Sequence, residues 1–317
     1  MYALSTILHL GRPTPAVTAG DRTWTLAALS PQLAALCQGQ GWIGAMADWP
    51  RVEAVLAERL PALLASTPAL PAQPARDEIL APLLYPGKVC CTGANYRQHL
   101  AEVGLSKSFD KTAVRPSFFM KPPRTAVVGC GRSVRYPAQS RQFDWEIELA
   151  VVIGRPARHV APALALQHVA GYMVGIDLSA RDYLLHKGNM AGFDTFGGKG
   201  FDDSCPLGPA LVPARFVPDP QRLALSLRLN GDLKQQGNTA EMVWTVAEQI
   251  AEMSAIMTLE PGDVLLTGTP HGSGLAEGRF LRPGDRIQAT IGELGCLDID
   301  IVPSPYGGQM LPCPLRP

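Results

Sequence analysis

Residues 143–154, FDWEIELAVVIG, carry the densest chemical signal in the chain. On a strand, residues two apart point to the same side. Glu146 and Glu148 therefore face together, and the run that follows them is deeply apolar. Neighbouring carboxylates repel each other and lose hydration on burial. A divalent cation relieves both penalties, and carboxylate oxygens favour the hard ions Mg²⁺, Mn²⁺ or Ca²⁺. The same residues also fit a strand edge that presents Asp144, Glu146 and Glu148 on one wet face. Asp177 closes a second apolar run, residues 171–176, either as a third ligand or as the cap of a helix starting near Ser179. If the chain is helical from Gln98, His99 and Glu102 lie three apart on one face. A carboxylate against an imidazole fixes its tautomer and raises its basicity, which suits it to take a proton from water. Such spacing is also common on solvated helices. Lys199, in the stretch GGKGFD, can approach a bound oxyanion or can be a surface loop lysine. Residues 267–274, TGTPHGSG, are small enough to bring backbone N–H groups close to a ligand.

These residues need strands to hold them. Apolar runs at 88–93, 147–153 and 264–267 are bounded by turn residues and predict buried strands. LEPGD (259–263) and LRPGD (281–285) each set Pro then Gly where a type II turn wants them, leading into a strand. Asn238 followed by Glu241 resembles a capping box, and Val243, Val246, Ile250 and Met253 form an apolar stripe behind it. Four zones follow. Residues 1–65 form a small, β-rich N-terminal domain that ends in a helix capped by Asp48, with Pro50 in its first turn. Residues 66–82 are a Pro/Ala-rich linker, 83–302 a large zone dense in strand and turn signals, and 303–317 a Pro/Gly-rich tail.

Composition narrows the class. A hydrophobic content of 46% supports a sizeable core, and 28 basic residues balance 28 acidic ones. Such a chain gives no electrostatic reason to bind nucleic acid or an anionic membrane. It contains no apolar stretch near the ~20 residues of a membrane helix and starts without a signal-peptide pattern. Seven cysteines without a CxxC pair fit reduced thiols and a cytoplasmic setting. The glycine-rich phosphate cradles and the G-x-S-x-G elbow are absent from the sequence.

Read in order, GANYRQHLAE, FFMKP, DWEIELAVVIG, VAGYMVGIDLSARD, GGKGFDDSCPLGP, RLNGDLKQQGNTAEMVW and LEPGDVLLTGTP resemble the fumarylacetoacetate hydrolase family over roughly residues 88–300. The resemblance implies an α+β, mainly β, mixed β-roll catalytic domain with a small N-terminal domain, a homodimer, and one Mg²⁺ or Mn²⁺ per chain. It implies that Glu146, Glu148 and Asp177 are the metal ligands. It also implies that His99 and Glu102 activate water, and that Lys199 holds a small 2-oxo acid and stabilises developing charge. Lys121 and Thr269 match motif positions near the pocket. Two positions depart from the pattern: Leu184 stands where hydrolytic relatives often have Gln, and His271 follows TGTP where a small residue is usual.

The expected reaction is hydrolytic cleavage of a C–C bond in an acylpyruvate-like 1,3-diketo acid. Decarboxylation, isomerisation or dehydration of a 2-oxo acid would use the same site without a nucleophilic water. A non-catalytic, metal-stabilised binding protein is the alternative from another class, and the presence of His99, Glu102 and Lys199 argues against it.

Overall fold

The computed structural model describes residues 1–105, 109–185 and 190–305. The expected tail from residue 306 onward, and His186, lie outside the described residues. The fold is mixed α+β with strands dominant, as expected. Among the described residues an eleven-stranded mixed sheet runs through the molecule. The antiparallel strands Ala3–His9, Arg12–Ala19 and Arg22–Thr25 form one end of it. Ala3–His9 then pairs with Cys205–Pro213, which is followed by Val169–Ile176, Ile147–Ile153, Val264–Leu266, Val89–Gly93 and Ser117–Lys121. Between the N-terminal helix and this sheet, Ile79–Leu80 adds to Ala3–His9. A second, five-stranded sheet orders Asp232–Asn238, Ala224–Leu229, Arg286–Ile291, Cys296–Val302 and Ser133–Arg135.

Apart from Glu148, the strand Ile147–Ile153 is apolar because both its faces are covered. Ile147, Leu149, Val151 and Ile153 belong to a core shared with the five-stranded sheet and with Val246, Ile250 and Met253 of the helix Val246–Ile256. Ala150 and Val152 face the other core, which holds Trp24, Trp42, Trp49, Leu56 and Leu60 of the N-terminal region. Glu146 and Glu148 continue this second face beyond the point where apolar neighbours cover it.

Local expectations held unevenly. The two Pro-Gly turns form, with Gly262 at φ +90° and Gly284 at φ +97°. In each, the following Asp folds back onto the turn's own backbone, Asp263 accepting from the Glu260 N–H and Asp285 from the Arg282 N–H. The helix Trp49–Ser66 starts after Asp48 with Pro50 in its first turn, but the Asp48 side chain makes no capping bond. The capping box lies elsewhere than expected. Asn238 caps a single 3₁₀ turn, Thr239–Glu241, and the long helix begins at Val246 with Thr245 and Glu248 as its reciprocal caps. The stretch between them is diverted because Val243 and Trp244 hydrogen-bond to Asn95 and pack with Leu100. Cys37, Cys90, Cys91, Cys130, Cys205 and Cys296 are free thiols. No helix among the described residues is long and apolar enough to cross a membrane.

Gly171 lets the strands Val169–Ile176 and Cys205–Pro213 approach closely: a Cβ there would sit 2.3 Å from the Val212 carbonyl oxygen. Backbone cannot swing aside as a side-chain tip can. Gly171→Ala is expected to destabilise the protein by about 1–3 kcal/mol through overpacking, read as a lower denaturant midpoint at unchanged slope.

Candidate active site

The antiparallel ladder brings the acids together. Ile147 pairs with Ile176 and Glu148 with Gly175, and the Asp177 N–H donates to the Glu146 carbonyl at 2.9 Å. Directly opposite residues share a face of the sheet, with Cβ atoms about 5 Å apart. Glu146, Glu148 and Asp177 therefore converge by register, and each offers an oxygen within 4.8 Å of the others. Gly175, opposite Glu148, adds no side chain to this patch. All three acids are buried, at 4%, 2% and 1% exposure, which rules out the wet-face arrangement. Asp177 does not cap a helix. The chain after it pairs Ser179–Ala180 with Phe143–Asp144, and the helix Arg181–Leu184 follows without a side-chain cap.

Three buried cations answer the acids. The Lys199 ammonium donates at 2.6 Å to both Glu146 Oε2 and Asp177 Oδ2. Lys121 donates to Asp177 Oδ1 at 2.6 Å and to the Leu178 carbonyl at 2.9 Å. Arg181 bridges Asp144 at 2.8 Å and Glu146 at 2.5 Å. Burial alone would push the Lys199 ammonium down, but Asp177 and Glu146 outweigh it and hold the group above the ordinary lysine value. Burial would likewise raise Glu146, yet Arg181, Lys199 and His99 keep its carboxyl far below the carboxylate range. Glu148 behaves oppositely. Burial, then the charges of Asp177 and Glu146, push it well above the usual range, and a hydrogen bond from the Gly268 N–H at 2.5 Å offsets only part of that.

With all four acids ionised, as holding a cation requires, Asp144, Glu146, Glu148 and Asp177 set against Lys121, Arg181 and Lys199 would leave one excess negative charge in a buried cluster, and it is Glu148 whose ionisation that cluster resists. That excess, together with an all-oxygen donor set, fits a hard divalent cation. A bound dication would turn that balance positive, which suits an anionic ligand.

The expected contact between His99 and Glu102 is formed. Arg97–Glu102 is helical, and His99 Nδ1 lies 2.9 Å from Glu102 Oε2. Burial would raise the Glu102 carboxyl, but the hydrogen bonds from His99 and from the Gly272 N–H bring it below its ordinary value. A carboxylate at this position accepts from Nδ1–H and leaves Nε2 as the free basic atom. His99 is buried rather than set on a solvated helix face.

His99, Glu102, Glu146, Glu148, Asp177, Lys199, Leu184 and Thr269 line one cavity of about 630 Å³. Lys199 is no surface lysine. It ends the short helix Thr195–Lys199, whose Gly198 packs so tightly that a Cβ would lie 2.4 Å from that of Leu184. Thr269 is buried, and its hydroxyl accepts a hydrogen bond from Gln235. Lys121 does not line the cavity; it stands behind Asp177.

Three functional positions carry roles that sequence reasoning left unassigned. Asp144 accepts from the Gly274, Trp145 and Leu275 N–H groups as well as from Arg181, tying the loop that follows Thr269 to the acids. Arg181 was visible as the cation of SARD directly after an apolar strand. Asn95, fully buried, fixes the loop through Trp244 and the Thr267 carbonyl, and nothing short of the fold signals it.

Comparison with known proteins bears on the same residues. A family model for the fumarylacetoacetate (FAA) hydrolase C-terminal domain matches residues 88–302. The chain is 42% identical over 249 residues to a human protein named oxaloacetate tautomerase FAHD2A, mitochondrial, covering 77% of this chain and 75% of that one. Among solved structures it is similar to fumarylacetoacetate hydrolase from Exiguobacterium antarcticum, with TM-score 0.79 and 29% identity over 96% of this chain and 100% of that one. It is also similar to fumarylpyruvate hydrolase from Pseudomonas aeruginosa in complex with Mn²⁺ and pyruvate, at 35% identity and TM-score 0.61, covering 68% of this chain and 90% of that one. The cavity with its three acids lies within the matched segment, and this chain belongs to the fumarylacetoacetate hydrolase family.

Proposed function

We propose that this enzyme binds one divalent cation, Mg²⁺ or Mn²⁺, on Glu146, Glu148 and Asp177, and moves a proton on a small 2-oxo acid, with keto–enol tautomerisation as its reaction. The observation that carries this reading is a His–Glu base pair and a three-carboxylate cluster lining one cavity. A cation there supplies Lewis-acid polarisation of the 2-oxo carbonyl. His99 Nε2 takes the proton from the carbon next to that carbonyl in the keto form or returns it there from the enol, while the oxygen gains or loses its proton in exchange with solvent. Glu102 holds the imidazole in the required tautomer and stabilises its protonated form. Lys199, kept charged by Asp177 and Glu146, sets a positive group near the oxygen on which negative charge develops. Lys121, behind Asp177, orients a ligand rather than touching substrate. The 42%-identical human relative, named an oxaloacetate tautomerase, supports this choice.

Hydrolytic C–C cleavage of an acylpyruvate is the second reading, favoured by the Pseudomonas hydrolase that binds Mn²⁺ and pyruvate. In that reaction His99 would deprotonate water, and two acids would appear as products. Incubation with oxaloacetate and with a panel of acylpyruvates, with Mg²⁺ or Mn²⁺ present, separates the two. Decay of the enol absorbance without new acids supports tautomerisation, and stoichiometric pyruvate from an acylpyruvate supports hydrolysis. A homodimer completes the reading.

Three outcomes test it. Glu148→Ala removes one of several repelling charges, so the metal-free protein is expected to stay folded. Its Mn²⁺ affinity should fall by more than the roughly 10–100-fold typical of outer-sphere partners. An unaltered affinity by calorimetry would remove Glu148 from the ligand set. His99→Ala should lower kcat by about 10²–10⁴-fold, the usual worth of a general base, while Mn²⁺ affinity is retained. A near wild-type rate would show that the pair is only a structural contact. Leu184 presents an apolar wall, against which an unpaired polar substrate group would cost about 1–3 kcal/mol. Acylpyruvates with larger apolar acyl ends should therefore outperform acetylpyruvate, and Leu184→Gln should shift kcat/KM toward small polar substrates. Equal preference in both proteins would show that position 184 does not face the substrate.

A further inference from the structure

The strand that carries the acids runs out of partners just where the acids begin. On one side Ile147–Ile153 is paired along its length with Val169–Ile176. On the other side Val264–Leu266 pairs only with Ala150, Val151 and Val152. Beyond Leu266 the neighbouring chain is the loop TGTP. The loop still serves Leu149, whose carbonyl accepts from the Thr267 N–H and hydroxyl. It cannot serve Ile147, the residue between Glu146 and Glu148, whose N–H would be left as an edge donor in a buried site.

Gln235 fills this gap. Its Oε1 accepts from the Ile147 N–H at 2.9 Å, and its Nε2 donates at 2.9 Å to both Thr269 Oγ1 and the Pro270 carbonyl. The side-chain amide thus acts as one missing peptide unit of the ladder, with an acceptor turned to the strand and donors turned to the loop. Gln235 comes from Asp232–Asn238, at the edge of the other sheet, and is fully buried, whereas its neighbour Gln236 is exposed. The approach is close: a Cβ on Gly272 would lie 2.0 Å from the Lys234 carbonyl oxygen and 3.3 Å from Gln235 Cα.

We propose that Gln235 is a positioning residue for the metal centre, fixing the Glu146–Ile147–Glu148 peptide against the Thr269–Pro270 loop so that the two carboxylates hold one spacing. Glu side chains two residues apart can splay when the peptide between them rocks, and this amide clamps that peptide from both sides. The loop so held also supplies the Gly268 N–H that donates to Glu148. This proposal rests on the metal reading above.

The test uses the full chain and Mn²⁺ alone as probe, with calorimetry for affinity and thermal unfolding of the metal-free protein for stability. Gln235→Leu keeps the size and removes every hydrogen bond; Gln235→Asn keeps the amide but is one methylene too short to reach. Both are expected to bind Mn²⁺ at least tenfold more weakly, while Gln236→Leu binds as the wild type does. A purely structural role predicts instead a lower melting temperature with Mn²⁺ affinity unchanged. Unchanged affinity in either folded variant overturns the proposal, as does failure of both variants to fold, which would make Gln235 a folding residue. Absence of Mn²⁺ binding by the wild type would instead overturn the metal reading itself.

Discussion

Four carboxylates, Asp144, Glu146, Glu148 and Asp177, are buried at one end of a sheet, and most of the local architecture answers that fact. A buried charge is tolerated only when paired and hydrogen-bonded. Breaking a buried pair from one side typically costs about 3–5 kcal/mol. Lys121, Arg181 and Lys199 come from three separate segments, and each touches one or two of the acids. None of the three contacts Glu148 directly, so this carboxyl is the one acid of the cluster without a cationic partner, and it is pushed well above the usual range. The cluster is held by its own electrostatics yet left one charge short.

The scaffold converts this chemistry into fixed geometry through close approach. Gly175 stands opposite Glu148 on the same face and keeps that position free of a side chain. Gly198 lets the helix that ends in Lys199 lie against Leu184, so a long flexible side chain is delivered to Glu146 and Asp177 by a short rigid segment. Phe119 lies beneath the ammonium, 5.1 Å from Lys199 Nζ to the ring centroid, and adds a cation–π contact.

Much of this was legible in the sequence because it depends on short-range periodicity. The two-residue period of a strand put Glu146 and Glu148 on one side, the end of an apolar run marked Asp177, and a three-residue spacing paired His99 with Glu102. Those rules act within a few residues, and the structure obeys them. What they could not supply is anything decided by distant chain. Whether residues 144–148 were wet or buried depended on Arg181, Lys199 and the loop after Leu266. The helix start moved from Asn238 to Thr245 because Asn95, some 150 positions earlier in the chain, claims the Val243 and Trp244 backbone. Lys121 matched a motif near the pocket, but only the fold shows that its ammonium is spent on Asp177 and the Leu178 carbonyl.

The loop at residues 267–274 draws these parts into one unit. Its Gly268 N–H reaches Glu148, its Gly272 N–H reaches Glu102 at 2.6 Å, and its Gly274 N–H reaches Asp144 at 2.6 Å. Through Asp144 it is linked to Arg181 and so to Glu146. A single small-residue segment therefore holds one acid of the three-carboxylate cluster, the carboxylate paired with His99, and the acid that anchors Arg181. Side chains would keep these N–H groups away from the carboxylates, and a Cβ at Gly274 would meet the Arg279 carbonyl oxygen at 2.1 Å. The base and the carboxylate cluster lie on different elements, and their relative placement is set by this shared backbone. A displacement of the loop would move the carboxylate partner of His99 and the N–H partner of Glu148 together, so the His99–Glu102 pair and the spacing of the three acids are physically linked.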